Sequence, residues 1–138
     1  MNSFRERIVI GKTVLITGAA KRVGCSIARE LHAAGANIVV HYRLAAEAAE
    51  TLVGELNALR ADSAACFQTD LLDHTALPGL VDYALHRFAR LDALVNNASS
   101  FFPTPLAAID QAAWDDLIGS NLKAPLFLTQ AAAPYLKA

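Results

Sequence analysis

The residues able to do chemistry stand just after short apolar runs. Val14 to Gly24 reads Val-Leu-Ile-Thr-Gly-Ala-Ala-Lys-Arg-Val-Gly: four β-favouring residues, a glycine, then a helical pattern. A strand, a tight turn and a helix N-terminus in that order make a phosphate site, because backbone N–H groups and the positive helix end point at one spot. Gly18 permits the tight turn, and Gly24 lets the helix pack closely on the strand. Lys21 can hold phosphate or stand solvated. The next apolar run ends His41-Tyr42-Arg43, with no acid before Glu47. An acid at that strand end would bind ribose hydroxyls, whereas arginine tolerates a 2′-phosphate. Arg43 and Arg22 either converge on a 2′-phosphate as a charge-assisted fork or are two solvated arginines. Together, at these two positions, they make NADPH the expected cofactor. His41 lies along an adenosine or is a satisfied strand-end histidine. Asp70 accepts from an adenine amino group, or caps the turn that follows it. Asn96-Asn97-Ala98-Ser99 follows a further strand pattern at the same edge. Its asparagines can tie strand ends together while its backbone lines a nicotinamide ribose; the alternative is a plain Asn-rich turn.

The elements that must position these residues alternate regularly. After the first strand, Arg22 to Ala34 has helical spacing, with Val23, Ile27, Ala28 and Leu31 on one face and Gly35 as its stop. Asn37 to Tyr42 is a β-branched strand, and Ala45 to Arg60 is a helix with the stripe Leu52, Leu56, Leu59. Ser63 to Thr69 is a third strand. Thr75 to Ala89 is a helix turning Leu77, Leu80, Val81, Ala84, Leu85 and Phe88 inward. Leu91 to Asn96 is a fourth strand, and Gln111 to Leu136 is a long helix that Pro125 should kink. Such a run predicts an α/β fold: a Rossmann-type, doubly wound parallel sheet in three α/β/α layers. The expected strand order is 3-2-1-4. Leu91 to Asn96 would then be an exposed apolar parallel edge, which folded proteins avoid. Residues 1–138 are therefore read as the N-terminal part of a single NADP-binding domain, incomplete on its C-terminal side.

Composition excludes several classes. The chain has 138 residues, 54% of them hydrophobic, and a net charge of −1, so nothing points to nucleic acid or an anionic membrane. No apolar run approaches the ~20 residues of a membrane span. Arg5, Glu6 and Arg7 interrupt any signal-type core, which predicts a cytoplasmic protein. Cys25 and Cys66 have no metal or redox spacing and read as two buried free thiols. A P-loop is excluded, because no G-x-x-x-x-G-K-[ST] occurs.

The turn Thr-Gly-x-x-x-Arg-x-Gly resembles the cofactor turn of the short-chain dehydrogenases/reductases, with Arg22 where that family usually has a middle glycine. Joined by His-Tyr-Arg and by Asn-Asn-Ala-Ser-Ser-Phe-Phe-Pro-Thr-Pro-Leu, it resembles the pteridine reductases within that family, over nearly the whole chain. The resemblance implies NADPH binding through Arg22, Arg43, Asp70, Asn97 and Ala98. It adds Ser99 on cofactor and pterin, and Phe101 stacked on the pterin ring. Gly18, Lys21, Val23, His41, Tyr42 and Leu71 complete the expected cofactor set. A flat heteroaromatic ring held between a nicotinamide and a phenyl group is physically reasonable; otherwise Phe101 and Phe102 are loop anchors. Asn121 matches the family's catalytic asparagine, which supports a proton-relay water. Family members are also tetramers or dimers, so a homo-oligomer with a small pterin-like substrate is implied.

One departure is plain. The family's chemistry needs a Tyr-x-x-x-Lys pair, in which lysine lowers the pKa of a proton-donating tyrosine. Tyr42, Tyr83 and Tyr135 are followed four positions later by Ala46, Arg87 and the end of the chain. The expected parent activity is hydride transfer to a pterin or folate-like C=N bond. The alternatives are a reductase of 3-oxoacyl thioesters or other carbonyls, and a catalytically incomplete nucleotide-binding module.

Overall fold

The computed structural model describes residues 8–136, so Arg5, Glu6 and Arg7 lie outside the described residues. The elements are β1 (Thr13–Ile16), α1 (Arg22–Ala33), β2 (Asn37–Tyr42), α2 (Ala46–Leu59), β3 (Ala64–Gln68), α3 (Leu77–Phe88), β4 (Ala93–Val95), α4 (Gln111–Ile118) and α5 (Ala124–Leu136). Short 3₁₀ turns occupy His74–Ala76 and Leu106–Ala108, and a π turn, Gly119–Lys123, joins α4 to α5. The four strands run in the order β3-β2-β1-β4, and every pairing is parallel. The doubly wound Rossmann-type sheet follows.

Alternation along the strands divides the core. Val14, Ile16, Ile38 and Val40 face α1 and α2, burying Ala28, Leu52 and Leu56. Leu15 and Val39 face α3 and α5, burying Leu77, Leu80, Val81, Ala84 and Leu128. Both faces of the sheet are apolar because both are covered by helices. Each fully buried Leu, Ile or Val contributes about 1.5–3 kcal/mol relative to exposure.

Several sequence expectations need correction. The buried face of α1 is Gly24, Cys25, Ala28 and His32, whereas Val23 is 66% exposed and Ile27 and Leu31 are only partly buried. Small residues under the helix let it lie close to the strands, and the bulky ones are displaced to its flank. In α2 the stripe is Ala49, Leu52 and Leu56, and Leu59 is 76% exposed. Cys66 is half-buried rather than buried. The fourth strand shrinks to Ala93–Val95, with nothing on its outer side among the described residues. The long helix is also not simply kinked at Pro125: the π turn precedes it, with the Ala124 N–H donating to the Gly119 carbonyl.

Gly35 ends α1 as expected. At φ +103° it lets its own N–H reach the His32 carbonyl (2.9 Å) and the Ala36 N–H reach Leu31 (3.0 Å), a Schellman closure. Beyond it, at the strand edge opposite the candidate site, lies a buried polar knot. His32 Nε2 meets Ser63 Oγ at 2.6 Å, and the Arg60 guanidinium donates to the His32 and Ala36 carbonyls. Asn57 accepts from the Ser63 and Ala64 N–H groups and donates to the Ala64 carbonyl.

Among the described residues, no helix is long and apolar enough to cross a membrane. None of their His, Cys, Asp and Glu side chains form a group of three or more that could hold a metal ion.

Candidate functional site

The carboxyl ends of β1, β2, β3 and β4 meet at one edge, and polar groups knit them together. Thr17, buried at 2% exposure, accepts from the Asn97 and Ala98 N–H groups, both at 3.0 Å. The Asn97 amide donates back to the Thr17 carbonyl (3.0 Å) and the Gly18 carbonyl (3.2 Å). Asn97 therefore does tie strand ends together, and it needs room to do so. A Cβ on Gly24 would stand 2.5 Å from both the Asn97 amide nitrogen and the Gly18 carbonyl oxygen. Gly24 is thus required by an amide as much as by a strand. Gly18, at φ +60°, would place a Cβ 3.0 Å from Ala98, so turn geometry and close approach both demand glycine there.

His41 completes the turn. It is 2% exposed; its Nε2 hydrogen donates to the Thr69 carbonyl at 2.8 Å, and its Nδ1 accepts from the Gly18 N–H at 3.0 Å. Those partners fix the neutral Nε2-H tautomer. Burial pushes its pKa down, against the opposing pull of the Thr69 carbonyl and Asp70. It is the satisfied strand-end histidine: both ring nitrogens are used within the protein, although the ring still borders the cleft.

The start of α1 has the properties of an anion site. Lys21 at its N-cap makes no side-chain cap bond, and the first turn holds no acid, so the first turn supplies no negative charge of its own to the positive helix end. A groove there is lined by Gly18, Lys21, Tyr42 and Arg43. Arg22 does not share it. It lines a separate groove along the outer flank of α1 with Val23, Ile27 and Leu31, while Lys21 and Arg43 both line the groove at the end of β2. Arg22 instead sits at φ +53°. This is the left-handed conformation that a glycine would adopt freely, and it costs an L-residue about 1–2 kcal/mol.

A second cleft of about 160 Å³ runs from Gly18 and Arg43 past Asp70 and Leu71 to Ala98, Ser99, Ser100, Asp116 and Ser120. Arg43 Nε lies 4.0 Å from Asp70. Asp70 accepts from the Leu72 N–H, an Asx turn; the capping acid of the following 3₁₀ turn is Asp73. Leu71 is buried under the cleft. Phe101, beyond Ser99, is 90% exposed. Asn121 reaches this loop too, accepting from the Ser100 N–H (3.3 Å) and donating to the Ser100 carbonyl (2.8 Å). Its side chain is therefore occupied, but its carbonyl is denied the usual donor four residues on, because position 125 is proline and has no N–H.

Sequence reasoning missed Thr17, Ser100, Asp116 and Ser120. A threonine immediately before the turn glycine was a readable signal. The other three depend on the π turn and had none.

The comparisons agree with this geometry. The family model described as short chain dehydrogenase matches residues 12–138. The chain is 40% identical to pteridine reductase 1 of Leishmania tarentolae, covering 86% of this chain and 52% of that protein. It is 35% identical to the 3-oxoacyl-[acyl-carrier-protein] reductase FabG of Staphylococcus aureus, covering 91% and 50%. A solved short chain dehydrogenase from Burkholderia cenocepacia, in complex with NADP, superposes with a TM-score of 0.89 at 34% identity, over 93% of this chain and 52% of that one. The chain spans about half the length of the curated relatives it matches. A family match over residues 12–138, on a four-stranded parallel sheet whose glycine turn opens an uncapped helix, leads to one conclusion: the chain belongs to the short chain dehydrogenase family.

Proposed function

We propose that residues 1–138 are the cofactor-binding part of an NADPH-dependent reductase acting on a pterin, dihydropteridine or folate-like C=N bond. The protein would be a cytoplasmic homo-oligomer. The observation that carries the cofactor reading is the groove shared by Lys21 and Arg43 at the end of β2, where no carboxylate precedes Glu47. Two cations and no acid suit a 2′-phosphate and leave the ribose hydroxyls of NADH without an acceptor.

The uncapped start of α1 and the Gly18 turn fit a pyrophosphate lying against the backbone. Asp70 and Leu71 would border the adenine, and Asn97, Ala98 and Ser99 the far ribose. Bound NADPH would supply a hydride. Ser99 would orient the acceptor ring, and Phe101 would cover it by offset stacking, worth about 0.5–1.5 kcal/mol beyond area burial. The Asn121 carbonyl, which has no N–H four residues on because Pro125 stands there, would hold a water on the proton path. Tyr83 is stacked on Phe67, and none of Tyr42, Tyr83 and Tyr135 has a lysine four residues on.

Arg43→Ala tests the cofactor reading: it should weaken NADPH at least tenfold more than NADH, the worth of a charge-assisted bond of about 1.5 kcal/mol or more. Equal losses would remove the 2′-phosphate role. NADPH oxidation with a dihydropterin tests the substrate. The 35% identity to a 3-oxoacyl reductase supports the second reading, a thioester-linked ketone, and turnover of that substrate alone would replace the first.

A further inference from the structure

The loop after β4 is held by an arrangement that neither the sequence motifs nor the family resemblance points to. Ser100 is half-buried while its neighbours Ser99 and Phe101 are exposed. Every polar group of Ser100 is engaged by one short stretch of helix. Its hydroxyl donates to the Asp116 carboxylate and lies 2.7 Å from Ser120 Oγ, which also reaches the Asp116 carbonyl at 2.7 Å. Its backbone N–H and carbonyl are both taken by the Asn121 amide.

A regular α-helix could not easily present this set. Asp116 and Ser120 are four residues apart and share a face, but Asn121 would stand about 140° around the helix from Asp116 at 100° per residue. The π turn over Gly119–Lys123 adds a residue to the turn and brings Asn121 back toward the same side. Leu72 packs on the start of that turn, where a Cβ on Gly119 would meet it at 2.8 Å.

We infer that Asp116, Ser120 and the π turn form a latch on Ser100 that sets the placement of Ser99 and Phe101, so that Asp116 is a positioning residue for substrate rather than a cofactor ligand. The inference rests on the substrate contacts proposed above for Ser99 and Phe101. A hydrogen bond to a charged acceptor is worth about 1.5–3 kcal/mol, so its removal should loosen the loop by tenfold or more.

The test uses the full-length protein and two readouts. In Asp116→Ala, hydrogen exchange in the segment 99–105 should quicken by about tenfold or more, and KM for the substrate that the wild type reduces should rise similarly. The Kd for NADPH should rise by much less than KM does, and Asp116→Asn, which keeps an acceptor oxygen, should recover most of both losses. Ser100→Ala, which removes only a hydroxyl, repeats the test if Asp116→Ala folds poorly. Unchanged exchange at 99–105 in both variants overturns the latch. A loss of NADPH affinity as large as the rise in KM overturns the positioning role. Failure of the wild type to reduce any pterin would defeat the substrate reading alone, because the exchange arm decides the latch without a substrate.

Discussion

Protonation of His41 should undo the glycine turn from beneath. In the folded protein its Nδ1 must stay bare to accept from the Gly18 N–H, and burial holds its pKa below the ordinary value. His32 is also 2% exposed, and burial, helped by the Arg60 guanidinium, lowers its pKa as well. Unfolded histidine takes up a proton near pH 6.5, so below that point the unfolded state binds more protons than the folded one. Stability should therefore fall as pH falls from about 6.5, and level off only beneath the two folded-state values. One histidine contributes a slope of at most about 1.4 kcal/mol per pH unit, and two contribute up to about 2.8.

His41→Asn separates the two. Asparagine places an acceptor oxygen near the Nδ1 position but has nothing to reach Thr69, so at pH 8 it should cost about 1–2 kcal/mol. Below about pH 6.5 its slope should be smaller than that of the wild type, since only His32 remains. Urea denaturation at half-unit pH steps measures both quantities. Carboxylates held low by their partners, Asp92 by Arg90 and Asp73 by Thr75, lose their contributions only near and below about pH 4 and do not confuse this window. A wild-type slope retained in His41→Asn would refute the buried, neutral histidine and the turn geometry built on it.

Other perturbations follow from the same packing. Gly24→Ala should cost about 1–3 kcal/mol by overpacking against the Asn97 amide and weaken NADPH; Gly54→Ala, in α2 with nothing within 4 Å of the added Cβ, should instead stabilise by about 0.5–1 kcal/mol. Thermal or urea melts of both variants check the pair, and like-signed shifts would contradict it. Arg22→Gly should raise stability by about 1 kcal/mol by relieving the φ +53° backbone, read as a higher denaturation midpoint at unchanged m-value. Asn57→Ala should cost about 2–4 kcal/mol, because two N–H donors and a carbonyl lose their partner at once, and a loss under 1 kcal/mol would show that water replaces it.

The sequence made the sheet legible because strands buried on both faces can only be apolar and helices between them can only be amphipathic. It misplaced the face of α1 for a related reason. Hydrophobicity points to Val23, Ile27 and Leu31 as buried, but where a helix presses on a sheet small residues permit the contact: Ala28 and Gly24, both legible in the sequence as facing the sheet, and Cys25, with His32 at the far end. The phosphate turn was readable from glycine, whose roles are steric, and from the missing acid after Tyr42. His41 was readable only as a pair of alternatives, since a histidine states its partners through three-dimensional geometry alone. The Ser100 latch was beyond reach for a different cause. Asp116, Ser120 and Asn121 belong to one group only if the helix departs from 3.6 residues per turn, and a period-based reading assumes that it does not. Pro125 cannot supply the i+4 donor to the Asn121 carbonyl, in a stretch that bonds i+5 instead. That places the irregular turn beside the residues assigned to substrate and proton, which is where such departures from regular helix concentrate.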